Sequence, residues 1–256
     1  MYLRKLNIIL IMGFPLIGSI KRKLTSTFFP HVRRSYSQSG EDIIISDLFN
    51  RLTIKHPTYL DIGANDPVAL NNTYRLYLRG SKGVCVEPNP ILHQKIQMKR
   101  KRDICLNAGV AFDEKREADF YIFPEKFSGL NTFSKEEADF WEQTGNEEIG
   151  RHKVEKVVKM KLIDINELIG KYFSPHPNLI SVDVEGFDFQ IIKKINFDIY
   201  KPEVFCIETL GFIDNNKEIK KTEIIDFFKT QGYFVYADTY INTIFCKKES
   251  YKILVQ

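Results

Sequence analysis

"YLDIGANDP", Tyr59 to Pro67, sets a short apolar strand directly against a glycine-bearing turn. In an alternating α/β chain such a turn follows the first strand and opens onto a ligand. A dinucleotide-binding turn would read G-x-G-x-x-G, so that backbone amides at a helix N-terminus hold a pyrophosphate. Here a single glycine, Gly63, stands among Asp61, Asn65 and Asp66. A carboxylate repels a pyrophosphate but favours a ligand that carries an ammonium and a sulfonium. The turn therefore points to a cationic ligand without phosphate.

The flanking pattern supplies the rest of the fold. "SQSGEDIIISDLFNRL" places Ser39 three residues before Asp42, a capping-box spacing that predicts a helix. Beyond the turn, "NTYRLYLRG" predicts a short helix, "GVCVEP" a buried strand, "PILHQKIQMKRK" a helix and "DICLNAGVAF" a third strand. "ADFYIFPEKFSGLNTFSKEEADFWEQTGNEE" reads as an insertion that shapes a substrate pocket, and "KVEKVVKMKLIDINELI" as a strand running into a short helix. "NLISVDVEGFDFQIIKKI" and "EVFCIETL" return to buried strands, "KKTEIIDFFKTQG" is an amphipathic helix, and "YFVYADTYINTIFCKK" is two strands joined by a short turn. Strands and helices alternating in this way predict a parallel sheet covered on both faces, finished by an antiparallel hairpin.

At 256 residues the chain can bury the core of one α/β domain, and 43% apolar with 27% charged residues excludes disordered and fibrous classes. A net charge of +4 is too small to imply a nucleic-acid partner. The run Lys99-Arg100-Lys101-Arg102 reads as a solvated helix end. Cys85, Cys105, Cys206 and Cys246 lack metal-binding spacing and read as reduced core residues. The first 34 residues differ from the domain that occupies 35–256. There, about thirteen apolar-rich residues, Ile8 to Ile20, lie between Arg4-Lys5 and Lys21-Arg22-Lys23. That is shorter than the roughly 20 residues of a spanning helix. Two readings stand: residues 1–24 make peripheral contact with the inner face of a membrane from the cytoplasm, or the segment packs on the domain.

Two further acidic positions carry chemistry. Glu87 ends the second strand, where a carboxylate can take both hydroxyls of a ribose. With the acidic turn, this describes S-adenosylmethionine better than a nicotinamide dinucleotide. Asp183 and Glu185 end a later strand, and alternation sets both side chains on one side. One of them could remove a proton from an acceptor hydroxyl, or both could bind a divalent cation (Mg or Mn) that acidifies it. They could also simply cap the next helix. Glu208, ending "VFCIE", is a weaker member of the same cluster.

The series "SQSGED", "YLDIGANDP", "NNTYRLY", "GVCVEPNP", "LNAGVAF", "ISVDVEGFD" and "VFCIE" resembles the FkbM-type O-methyltransferases, a branch of the class I S-adenosylmethionine-dependent methyltransferases. The resemblance runs from Ser35 to Thr209. It implies a Rossmann-like sheet of seven strands, mostly parallel with an antiparallel C-terminal strand, and helices on both faces. It also implies S-adenosylmethionine as methyl donor and a hydroxyl acceptor on a sugar, glycan or glycosylated metabolite. Carried onto this chain, it places Asp61, Gly63 and Asn65 at the methionine end of the donor and Glu87 at its ribose. Gln38, Glu41 and Asp42 fall near the same cleft, Asn107 near the adenine, and Asn72 on the acceptor side. The family commonly has Ser-Asn-Thr where this chain has Asn71-Asn72-Thr73, which leaves the role of Asn71 open. Two alternatives remain: a metal-dependent nucleotide-sugar glycosyltransferase, since "DVE" resembles its acidic motif, and a non-catalytic, membrane-associated binding module of the same fold.

Overall fold

A computed structural model describes residues 32–145, 150–184, 186–213 and 217–252. Glu185 and the apolar stretch Ile8 to Ile20 lie outside the described residues. Helix α1 (Glu41–Arg51) leads into β1 (Tyr59–Ile62), followed by α2 (Tyr74–Leu78), β2 (Gly83–Val86), α3 (Pro90–Lys99) and β3 (Ile104–Leu106). Next come β4 (Gly109–Ala111), β5 (Glu117–Ile122), a 3-10 turn (Glu125–Leu130), α4 (Lys135–Gln143), β6 (Lys156–Asp164) and α5 (Ile165–Tyr172). The chain continues through β7 (Leu179–Val182), α6 (Asp188–Lys194), β8 (Val204–Glu208), the hairpin β9 (Leu210–Ile213) and β10 (Lys217–Lys220), and α7 (Thr222–Thr230). It closes with β11 (Tyr233–Asp238), β12 (Asn242–Lys247) and α8 (Lys248–Lys252).

Seven strands form the main sheet in the order β11-β12-β8-β7-β1-β2-β3. β12 runs antiparallel to both of its neighbours, and the remaining pairs are parallel. This is the Rossmann-like sheet expected from the sequence. Strand alternation sorts its core into two layers. Leu60, Ile62, Val84, Val86, Ile180 and Val182 pack with α5, α6 and α7 on one face. Tyr59, Cys85, Leu179, Val204 and Cys206 pack with α1 and α2 on the other. All four cysteines are free thiols, as their apolar surroundings suggested.

"DICLNAGVAF" is not one strand. β3 ends at Leu106, and β4 belongs to a second, three-stranded sheet of order β4-β6-β5. The break has a chemical cause: the Asn107 side chain donates to the carbonyls of Glu87 and Pro88, at 3.0 and 2.8 Å, where the ladder would otherwise continue. The insertion thus begins earlier than its aromatic pattern indicates, and it holds β5, α4 and most of the second sheet.

The basic run after α3 also needs correction. Arg100 is fully buried rather than solvated. Its Nε donates to Asp103 at 2.7 Å, Nη2 to Thr73 Oγ1 at 2.7 Å and Nη1 to Asn71 Oδ1 at 3.1 Å, and Nη1 lies 3.6 Å from Asp61 Oδ2. Tyr59 and Tyr77 present their rings to the same guanidinium. Arg102 stacks over Tyr77 as well. A buried guanidinium is tolerated only when its forked donors are matched, and here they are. Position 71, left open by the sequence, is part of that match.

Replacing Arg100 with leucine leaves Asp61 and Asp103 buried without their cation, a change worth about 3–5 kcal/mol of stability. Urea unfolding of Arg100→Leu should show that loss, whereas Lys101→Ala, on an exposed side chain, should shift stability by less than about 0.5 kcal/mol.

Candidate active site

In open α/β sheets the ligand crevice opens where strand order reverses, beyond the carboxyl ends of the strands. Here that point lies between β1 and β7. A cavity of about 570 Å³ opens there, with Gly63, Asn65, Glu87, Asp183 and Glu208 on its sheet side. Phe120, Ser128, Phe133 and Trp141 of the insertion form its far wall. The insertion therefore does shape the pocket, and its aromatic pattern supplies the wall.

Gly63 is required by geometry. Its φ is +79°, and a Cβ placed there would stand 1.8 Å from the Asp183 carbonyl oxygen. Its amide donates to Val86 O at 3.0 Å, while the Asp183 amide donates to Ile62 O at 3.0 Å. The ends of β1, β2 and β7 are thus laced together through backbone that no side chain could separate. Asn65 follows at φ +47°, a left-handed conformation that asparagine tolerates. Its amide donates to the Glu87 carboxylate at 2.8 Å, and its Oδ1 accepts from Ser128 at 3.1 Å.

Glu87 is buried, and its second oxygen accepts the Asn89 amide at 2.7 Å. Burial raises its pKa to about 7 against the pull of those two amides. Each oxygen keeps one lone-pair direction for a ligand hydroxyl. Asp183 is half-buried, and burial followed by the nearby Asp188 and Asp61 raises its pKa to about 7. Burial, then Asp183 and Asp188, pushes Glu208 well above the ordinary carboxylate range, with Lys221 opposing. Burial likewise raises Glu137 of α4, again opposed by Lys221.

The structure divides the remaining sequence candidates. Gln38 lines the cavity. Asp61 does not: it lies on the Tyr59 face of β1, where its Oδ2 accepts from Thr73 Oγ1 at 2.6 Å and Asn71 Nδ2 at 3.2 Å beside Arg100. It organises the turn from beneath and is not placed to contact a ligand. Glu41 is also turned away, accepting from Thr239 at 2.6 Å and Asn242 at 3.2 Å. Asp42 accepts from Ser35 Oγ at 2.6 Å and the Tyr36 amide at 2.9 Å, so it ties down the irregular segment before α1. The capping partner follows suit: the Asp42 amide donates to Ser37 Oγ at 3.2 Å, not to Ser39. Asn72 is buried, donating to Ser181 at 3.3 Å, and Asn107 faces an open groove on the outer side of β3. Both brace the site without lining the cavity.

Sequence reading missed Asp188, which is buried with one oxygen accepting the Val184 amide at 3.1 Å. It stands within "ISVDVEGFD", so the motif contained the signal. Glu137 and Lys221 come from distant segments and left none. Among the described residues no group of three or more His, Cys, Asp or Glu side chains is placed to hold a metal ion, and Glu185 is outside them. The expected pair therefore supplies one described carboxylate to the cavity.

A methyltransferase FkbM domain family matches residues 61–235, most of the chain and all of the cavity's sheet side. The chain belongs to the FkbM methyltransferase family. No curated protein sequence matches it significantly. Among solved structures, TehB from Haemophilus influenzae is similar at 12% identity over 89% of this chain and 67% of that one, with a TM-score of 0.42. The magnesium protoporphyrin IX methyltransferase of Synechocystis with bound SAM is 8% identical over 91% and 96%, with a TM-score of 0.38. An O-methyltransferase from Bacillus cereus in complex with SAH is 12% identical over 93% and 92%, with a TM-score of 0.37. The family membership rests on the domain match, and the fold on the strand order described above.

Substituting Gly63 with alanine forces both a left-handed alanine and a collision with the β7 backbone. Gly63→Ala should cost at least about 2 kcal/mol of stability, read by thermal unfolding, and should abolish ligand binding in the cavity.

Proposed function

We propose that this FkbM methyltransferase uses S-adenosylmethionine as methyl donor and methylates a hydroxyl group of a sugar or glycan. The observation that carries the reading is that Gly63, Glu87 and Asp183, from three adjacent strands, face one cavity at the point where strand order reverses. Volume supports it too, since about 570 Å³ falls within the usual range for a small-molecule site. Gly63 and Asn65 would hold the methionine end, and Glu87 the ribose hydroxyls. When bound, the donor supplies an electrophilic methyl carbon.

The acceptor side follows from the opposite wall. Phe120, Phe133 and Trp141 offer apolar faces, while Asp183 and Glu208 offer hydrogen-bond acceptors. An apolar platform beside carboxylates suits a sugar ring, which has an apolar face and hydroxyl edges. Asp183 would accept the acceptor's hydroxyl proton; the bound donor would supply the methyl group to the oxygen, with the sulfur–carbon bond breaking and its electron pair staying on sulfur as a neutral thioether. Burial, and then the nearby Asp188, raise the proton affinity of that carboxyl, which improves its match to an alcohol near neutral pH.

Calorimetry should detect binding of S-adenosylhomocysteine, weakened in Glu87→Gln; absence of affinity for both donor forms would overturn the assignment. With labelled donor and candidate lipid-linked or nucleotide-linked sugars, Asp183→Asn should lower kcat by about 10²–10⁴-fold. A sign follows for pH. A base whose pKa is raised to about 7 is protonated below that value, so kcat/KM should rise as pH rises through 7. That limb should disappear in Asp183→Asn. Because Glu87 titrates over the same range, donor affinity must be measured in parallel at each pH.

A further inference from the structure

Two residues at the mouth of the cavity hold apolar side chains outward from backbone that other residues would fit better. Leu70 lines the cavity, is 68% exposed and has φ +52°; Tyr240 is 58% exposed and has φ +76°. Positive φ strains any residue with a Cβ, and asparagine or glycine would relieve it. The Tyr240 conformation belongs to the β11–β12 turn, where the Asp238 side chain accepts its amide at 2.7 Å, but a turn does not require an exposed apolar side chain, and that exposure calls for an explanation.

Hydrogen bonds place the two residues on one rim. The Asn71 amide, next to Leu70, donates to Tyr36 O at 3.0 Å, and Gln38 of the same strap lines the cavity. At the strap's other end Glu41 accepts from Thr239, the neighbour of Tyr240. The Tyr240 hydroxyl bonds Glu218, which with Ile241 lines the cavity, and Ile219 beside it is 44% exposed. The rim therefore runs from Leu70 through Ser35–Gly40 to Tyr240 and Ile219.

That strap is also where the preceding sequence joins the domain. Immediately upstream stand Arg33 and Arg34, and further upstream the stretch Ile8 to Ile20 between its two basic clusters. A short apolar stretch bounded by arginine and lysine suits an anionic lipid surface. Tyrosine and leucine on an exposed rim suit the headgroup layer of the same surface. Among the described residues no helix is long and apolar enough to cross a membrane, so contact through these residues would be peripheral.

We propose that this rim docks on an anionic bilayer, with Leu70 and Tyr240 entering the headgroup layer and the cavity mouth turned toward the lipid. Resting on the function proposed above, the acceptor would then be a sugar carried on a lipid and presented at the membrane surface. The docking itself needs neither donor nor acceptor.

Flotation of the full chain with phosphatidylcholine vesicles, with and without phosphatidylglycerol, tests it. The double variant Leu70→Asn/Tyr240→Asn should lower partition onto the anionic vesicles by about tenfold, with a melting temperature equal to or above that of the unaltered chain. Ile199→Asn, also on an exposed apolar side chain (61%) but beyond the amino ends of the strands, should leave partition unchanged. Unchanged partition in the double variant would overturn the proposal, as would an equal loss in Ile199→Asn. Loss of self-association in light scattering with partition intact would show that a second copy covers the rim, and would overturn it too. Binding of S-adenosylhomocysteine by the unaltered chain, measured separately, tells failure of the donor assignment apart from failure of docking.

Discussion

A single buried guanidinium sets the position of the turn on which the site depends. Arg100 sits where the end of α3, the first strand and the lead-in to α2 converge, and its nitrogens reach Asp103, Thr73, Asn71 and Asp61. These groups in turn bond one another: Thr73 and Asn71 both donate to Asp61, and Asn71 also donates to Ala64 O at 3.1 Å. The glycine turn is therefore fixed from below, through Ala64 and Asp61, before any ligand arrives. Charge buried at that depth is costly unless fully matched. The chain has spent it on precision in a loop, where packing alone would leave the backbone freer.

Above that foundation the cavity gathers carboxyl groups whose burial and mutual repulsion raise their pKa values. Glu87 and Asp183 are brought to about 7, and Glu208 is also raised well above the ordinary carboxylate range. Such a site is less negative when empty than its composition indicates. A sulfonium entering it would favour ionisation of the carboxyls near it, since opposite charges at short range lower acid pKa values. In the proposed reaction, donor binding and ionisation of the base would in this way be electrostatically linked.

Much of this was legible in the sequence, and the reasons differ from residue to residue. The mostly parallel sheet and its antiparallel close followed from alternation and from the terminal hairpin, because buried parallel strands are continuous apolar runs. Gly63, Asn65, Glu87, Asp183 and Glu208 could be found because strand ends face the crevice in this fold class, whatever the side chain. Asp61 was misplaced for the same reason in reverse: inside a strand, alternation turns it to the opposite face, and its partner Arg100 lies far along the chain in a run that looks solvated. The family resemblance set Glu41 and Asp42 near the cleft with Gln38, yet Asp42 bonds back to Ser35 and Glu41 to Thr239 and Asn242. The contacts of Glu41, about 200 residues away, leave no local trace.

The bonds from Glu41 to Thr239 and Asn242 span 198 and 201 positions. They fasten the first helix of the domain to its last hairpin, and β12 must also insert between β8 and β11. A chain emerging from the ribosome therefore holds the glycine turn and the buried arginine long before it holds the far side of the rim. Until the β11–β12 turn is in place, Glu41 lacks both of these partners.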